Sequence, residues 1–135
     1  MKDKVFLDTN VLIYLYSVDE PHKQAKAAES FLRYECITSV QAFNEFCNVL
    51  IRKWKQPIET IKKAIHEIKS HCQVTIVDAD IIEKALDIHR KYAFAYYDSV
   101  MLASALASRC TLFLSEDMND TQMIDERLKI CNIFK

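Results

Sequence analysis

Apolar residues follow two rhythms along this chain, and the two alternate. Short runs of three to five are separated by longer stretches in which they recur every three or four positions. Val5-Phe6-Leu7 is too short for a helix and stops at Asp8, so it reads as a buried strand handing over to a helix from Asn10 to Ser17. Asp19-Glu20-Pro21 starts a second helix, with proline in the first turn where its missing N–H does no harm. That helix runs to about Tyr34 and is expected to bury Ala25, Ala28, Phe31 and Leu32. Cys36-Ile37-Thr38 is a second strand, and Ser39 a suitable N-cap for a helix from Val40 to Trp54. Pro57 and Glu59 open a helix with Ile58, Ile61, Ala64, Ile65 and Ile68 at helical spacing. The β-branched run Val74 to Val77 reads as a third strand, after which Asp78 caps a helix that fades near Tyr92. Asp98-Ser99 begins a helix of small residues, Val100 to Ser108. Thr111 to Ser115 is a strand, Asp117 to Asp120 a polar loop, and Lys129 to Ile133 a closing strand.

Strands alternating with helices predict an α/β fold, a three-layer sandwich around a mainly parallel central sheet of about four or five strands. No linker, repeat or low-complexity tract interrupts it, so residues 1–135 read as a single domain. Half of the 135 residues are apolar, enough for one substantial core. A net charge of −1 provides no global field for nucleic acid or an anionic membrane, so any such contact must be local. The longest uncharged apolar run, Val11 to Val18, is too short to cross a bilayer, and no segment has the build of a secretory signal. The five cysteines lie in apolar stretches without a CxxC pair and read as reduced core thiols. Together these features predict a soluble, cytoplasmic protein that does not engage a membrane. The sequence has no glycine, which excludes a glycine-rich phosphate loop and a GxGxxG dinucleotide fingerprint.

The informative polar positions are carboxylates set in apolar surroundings. Asp8 ends the first strand, Asp117 follows the Thr111 to Ser115 strand, and Glu45 sits among Phe43, Phe46, Cys47 and Val49. Asp98 precedes an apolar helix, where an N-cap reading competes with a functional one. Ligands of open α/β sheets bind beyond the carboxyl ends of the strands, where Asp8 and Asp117 are placed. Oxygen ligands without histidine or cysteine favour Mg²⁺ or Mn²⁺ over Zn²⁺, and such ions serve phosphodiester hydrolysis. His22, His66, His71 and His89 adjoin no acidic block.

Four ordered blocks resemble those of PIN domains, and of the VapC-type toxins of bacterial toxin–antitoxin pairs in particular. They are Val5 to Leu12, Ile37-Thr38-Ser39 with Asn44-Glu45-Phe46, Tyr97 to Ala105, and Leu114 to Asp120, together with the ending Leu128 to Phe134. The resemblance implies a single PIN-like nuclease domain acting as a metal-dependent endoribonuclease. Asp8, Glu45, Asp98 and Asp117 would be the catalytic, metal-holding residues for Mg²⁺ or Mn²⁺. Cleavage of RNA, with a tRNA loop as one substrate class, would leave 5′-phosphate and 3′-hydroxyl ends. Asn10, Ser39 and Thr9 match supporting polar positions, and Asp120 ranks below Asp117. A cognate antitoxin and a homodimer are the implied partners. Thr121 stands where relatives often carry glycine.

Other readings remain open at the level of sequence. An aspartate-nucleophile phosphatase generally has an acid two residues after the nucleophile, where this chain has Asn10. A catalytically inactive PIN-like module that binds RNA or protein is the non-enzymatic alternative, against which the presence of all four acids argues. Arg52-Lys53-Trp54-Lys55 is the one dense basic cluster with an aromatic inside it, and reads first as a solvated helix end and second as an RNA contact. The apolar surface of Leu12, Tyr14, Leu15 and Tyr16 exceeds what one short helix needs, and predicts a patch left for a partner.

Overall fold

The computed structural model describes residues 2–135. Six strands form one sheet in the order β3-β2-β1-β4-β6-β5. They are β1 (Lys4–Leu7), β2 (Glu35–Ser39), β3 (Cys72–Thr75), β4 (Leu112–Leu114), β5 (Met123–Ile124) and β6 (Leu128–Cys131). All pairings are parallel except β5 with β6. The helices are α1 (Thr9–Tyr14), α2 (Pro21–Arg33), α3 (Val40–Arg52), α4 (Ile58–His71), α5 (Ala79–Tyr92) and α6 (Tyr96–Ala107).

Why β1 lies at the centre follows from its composition. Val5, Phe6 and Leu7 are fully buried, as a strand covered on both faces requires. Phe6 pairs in register with Phe113 of β4, and their rings stack with centroids 5.2 Å apart. From β1 the chain steps outward through β2 to β3, then returns across the sheet to β4 on the other side of β1. Right-handed crossovers therefore place α1 to α4 over one face and α5 and α6 over the other. The reversal makes the gap between β1 and β4 a topological switch point, the position at which such sheets hold ligands.

Local signals explain the starts of α3 and α5. Ser39 caps α3 by accepting from the Ala42 N–H at 3.3 Å, and Asp78 caps α5 by accepting from the Ile81 N–H at 2.9 Å. Replacing Asp78 by alanine is expected to cost about 1 kcal/mol in a denaturant titration, the usual loss of an N-cap; an unchanged midpoint would show that the cap is redundant.

Several expectations require correction. The sheet has six strands, because the two-residue β5 is too short to leave a periodic signature. The third strand is Cys72–Thr75 rather than Val74 to Val77: its register is fixed by Cys36 opposite Cys72, and Ile76 is 76 % exposed. Helix α2 buries Ala27 and Ser30, not Ala25, Ala28 and Leu32, the last being 79 % exposed. Helix α6 begins at Tyr96 with Ala95 as its N-cap, so Asp98 lies in the first turn and caps nothing. The surplus apolar surface of the first helix is largely used within the molecule. Leu12 is buried, Tyr14 packs edge-on against Phe134, and Tyr16 packs against Phe46 and donates to Glu67 at 2.8 Å. All five cysteines are free thiols. Among the described residues no helix is long and apolar enough to cross a membrane.

Candidate active site

Asp8 stands at the carboxyl end of β1 and is only 4 % exposed. Its backbone N–H donates to the Leu114 carbonyl at 3.0 Å, which ties it to the end of β4. Its carboxylate accepts from the Thr9 N–H at 2.7 Å and from the Ser115 hydroxyl at 2.7 Å. Burial pushes its pKa up to about 7, against these hydrogen bonds, and the charges of Asp98 and Glu45 push the same way. An interior carboxyl with that balance holds its proton near neutrality unless a cation compensates it.

Asn10, in the first turn of α1, joins the two strand ends. Its Nδ2 lies 3.1 Å from Asp117 Oδ2, 3.3 Å from Ser115 Oγ and 3.4 Å from Asp8 Oδ2. Its Oδ1 accepts from the Glu116 N–H at 3.2 Å, so one amide fixes both the side chain of Asp117 and the backbone before it. Glu45, half-buried on α3, accepts from the Thr9 hydroxyl at 3.4 Å and from Gln41 Nε2 at 3.1 Å. Asp98 is half-buried in the first turn of α6; burial raises its pKa, and the charges of Glu45 and Asp117 raise it further. Asp117 is exposed at the mouth.

Asp8 feels the charges of Asp98 and Glu45, and Asp98 those of Glu45 and Asp117, so the four carboxylates singled out in the sequence form one electrostatically linked group. None of the ion pairs among the described residues involves any of them. Nor do any three His, Cys, Asp or Glu side chains among those residues stand close enough to make a ready-formed ligand cage. Acidic oxygens without a cationic partner, one of them protonated near neutrality, are a donor set suited to a hard divalent cation.

Other expected residues are placed differently. Thr9 is buried and holds Glu45, which supports a positioning role. Ser39 is fully buried and its hydroxyl serves as the α3 cap. Asp120 lies in a structural contact, accepting from the Asn132 N–H at 2.8 Å and pairing with Lys135 at 3.3 Å. Ser115 was not among the expected residues, although it contacts Asp8, Asn10 and the Asp117 N–H. Its only signal is a small hydroxyl at the end of an apolar run before an acid pair.

Beside the carboxylates, Lys23 of α2 anchors the same loop. Its Nζ lies 2.7 Å from Glu116 Oε2 and 3.1 Å from the Tyr14 hydroxyl, which itself donates to Glu116. Burial pushes Glu116 up, but these two donors outweigh it and hold its pKa below the usual carboxylate value. A groove of about 420 Å³ opens from Asn10 and Asp117 past Tyr14 and Val49 to Lys53 and Trp54.

A mainly parallel sheet with acids gathered at its switch point defines an α/β protein with an acidic ligand crevice. The chain belongs to the PIN domain family, whose model matches residues 5–122. Its fold is similar to that of a toxin–antitoxin complex from Klebsiella pneumoniae, with a TM-score of 0.71 and 19 % identity over 96 % of this chain and 97 % of that one. It is also similar to VapC20 of Mycobacterium tuberculosis, described as a toxin that cleaves the sarcin–ricin loop, with a TM-score of 0.67 and 16 % identity over 81 % and 86 % of the two chains. VapBC2 from Rickettsia felis, solved with a DNA fragment from its promoter, gives a TM-score of 0.62 and 11 % identity over 84 % and 88 %. No curated protein matches the chain significantly in sequence.

Proposed function

We propose that the protein is an endoribonuclease dependent on Mg²⁺ or Mn²⁺, and the toxin of a toxin–antitoxin pair. One observation carries the nuclease reading: beside the gap between β1 and β4, carboxylates in no ion pair act electrostatically on a buried aspartate whose pKa burial raises to about 7. Asp8, Glu45, Asp98 and Asp117 would hold the ion. When bound, a divalent cation of this kind activates water for attack on phosphorus and offsets the charge that develops there.

The protein's own groups prepare that site. Ser115 and the Thr9 N–H aim the Asp8 carboxylate, Thr9 and Gln41 fix the two oxygens of Glu45, and Asn10 holds Asp117. Asp8 would hold the ion as a carboxylate, its negative charge then neutralised by the cation. Hydrolysis in this mode leaves 5′-phosphate and 3′-hydroxyl ends. The net charge of −1 gives little non-specific affinity for phosphate, which suits a narrow substrate such as a tRNA loop in the cytoplasm. The structural likeness to a toxin–antitoxin complex supports a cognate antitoxin, and the likeness to an RNA-cleaving toxin supports RNA as substrate. In this reading residues 1–135 act as one PIN-like unit and pair as a homodimer.

Purified protein incubated with tRNA and Mn²⁺ is expected to produce discrete fragments with 5′-phosphate ends, and none in EDTA. Glu45→Gln is expected to slow cleavage roughly 10²- to 10³-fold while leaving the thermal midpoint within a few degrees. Intact RNA with the folded parent protein and Mn²⁺ would exclude the nuclease reading in favour of a binding module.

A further inference from the structure

Trp54 is the single tryptophan of the chain. It lies just beyond the last turn of α3, half-buried against the core, and lines the groove that also takes in Asn10 and Asp117. Tyr14 and Val49 add apolar surface to that groove, whose volume of about 420 Å³ falls within the range of small-ligand sites. Lys53 lines it too, exposed and in no ion pair among the described residues. Arg52 and Lys55 do not, so the basic cluster divides into one groove residue and two outside it.

We propose that this groove is a subsite for one unpaired nucleotide of the RNA, with guanine preferred and uracil disfavoured; the assignment rests on the endoribonuclease reading. Three features support it. An indole offers a face on which any base can stack, and removing such a platform typically weakens binding about 10- to 100-fold. Asn10 and Asp117 belong to both the groove and the acidic crevice, so a nucleotide seated against Trp54 has its backbone beside the proposed reaction centre. Lys53 supplies a cation for its phosphate.

The preference among bases follows from the remaining charges. Asp19 and Glu20 line the groove, are exposed, and make no ion pair among the described residues. Carboxylates only accept hydrogen bonds. Guanine presents adjacent N–H donors at N1 and N2, whereas uracil presents one N–H between two carbonyl oxygens that a carboxylate repels. Acidic residues also keep a run of phosphates out, which limits the subsite to a single nucleotide.

Because no other tryptophan contributes, fluorescence reports on Trp54 alone; its side chain also lines a second cavity with Leu50, Thr60 and Lys63, so the Lys53 and Asp19/Glu20 variants below assign the signal to this groove. The full chain in EDTA, titrated with GMP and with UMP, is expected to show saturable quenching by GMP at a concentration at least five-fold lower than for UMP. Lys53→Met should weaken both nucleotides, and Asp19→Asn combined with Glu20→Gln should erase the difference between them. In cleavage assays with Mn²⁺, Trp54→Ala should raise KM about ten-fold with little change in kcat, while Trp54→Phe retains most of the affinity and guards against a folding artefact. Quenching that is absent or equal for GMP and UMP, with the parent still cleaving RNA, overturns the subsite alone. If the parent cleaves no RNA, the nuclease reading fails and takes the subsite with it.

Discussion

Asp8→Asn will make the metal-free protein more stable while abolishing cleavage. The folded state keeps the Asp8 proton up to about pH 7, whereas the unfolded chain releases it near 3.8. The folded state therefore binds more protons between those values, and stability falls as pH rises through them. Above pH 7 the penalty for holding the buried charge is fully present, about 4 kcal/mol. Asparagine has nearly the same shape and no charge. Its oxygen can accept from the Thr9 N–H, whereas its amide stands where an oxygen now accepts from Ser115 and Asn10, and losing those bonds offsets part of the gain. A net gain of about 1–3 kcal/mol at pH 8, or roughly 3–10 °C in the thermal midpoint, is expected in EDTA. Cleavage should fall about 10³-fold, because the group proposed to hold the ion is gone. Circular dichroism melts and a cleavage assay on one preparation check both halves. A variant that melts below its parent at pH 8 would mean that the Asp8 charge is already compensated without metal, and the electrostatic account would be wrong.

Mn²⁺ will offset the pH dependence of stability. In EDTA the contribution of Asp8 makes the midpoint decline between pH 5 and pH 8, and Asp98, also raised by burial, acts in the same direction. Cation binding has the opposite slope, since it requires the carboxylates to be ionised. At a free concentration 100 times its dissociation constant the ion stabilises the folded state by about 2.7 kcal/mol. The midpoint with saturating Mn²⁺ should therefore exceed that in EDTA by several degrees at pH 8, with the gap closing towards pH 5. Asp8→Asn should remove most of the gap. Parallel curves with and without Mn²⁺ across this range would show that the ion does not bind at these carboxylates.

The legible parts of this chain were those where local chemistry and tertiary packing agree. Val5-Phe6-Leu7 could only be a covered strand, and Asp78 and Ser39 cap the helices their positions announced. Where two local signals competed, packing decided. The β-branched run Val74 to Val77 suggested a strand, but Asp78 needs an extended approach as a cap and Cys72 pairs with Cys36, so the strand moved two residues back. Asp98 had the local look of a cap, yet Tyr96 and Tyr97 had already entered the helix, with their rings 5.4 Å apart. The acids themselves were visible because a charge beside apolar residues is conspicuous. Ser115 was not, because its importance lies in a bond to a residue 107 positions away. Thr121 shows the same limit in the backbone. At φ 72° it holds the left-handed conformation that glycine adopts most easily, and nothing in its own chemistry announces that strain.

The central place of β1 has a consequence for how the protein comes into being. Asp8 leaves the ribosome 107 residues ahead of Ser115, whose hydroxyl aims its carboxylate, and its backbone N–H waits for the Leu114 carbonyl at the end of β4. A nascent polypeptide that stops short of Ser115 carries the first three acids without the strand that brings them to the fourth. The proposed reaction centre is therefore withheld until β4 emerges and pairs beside β1.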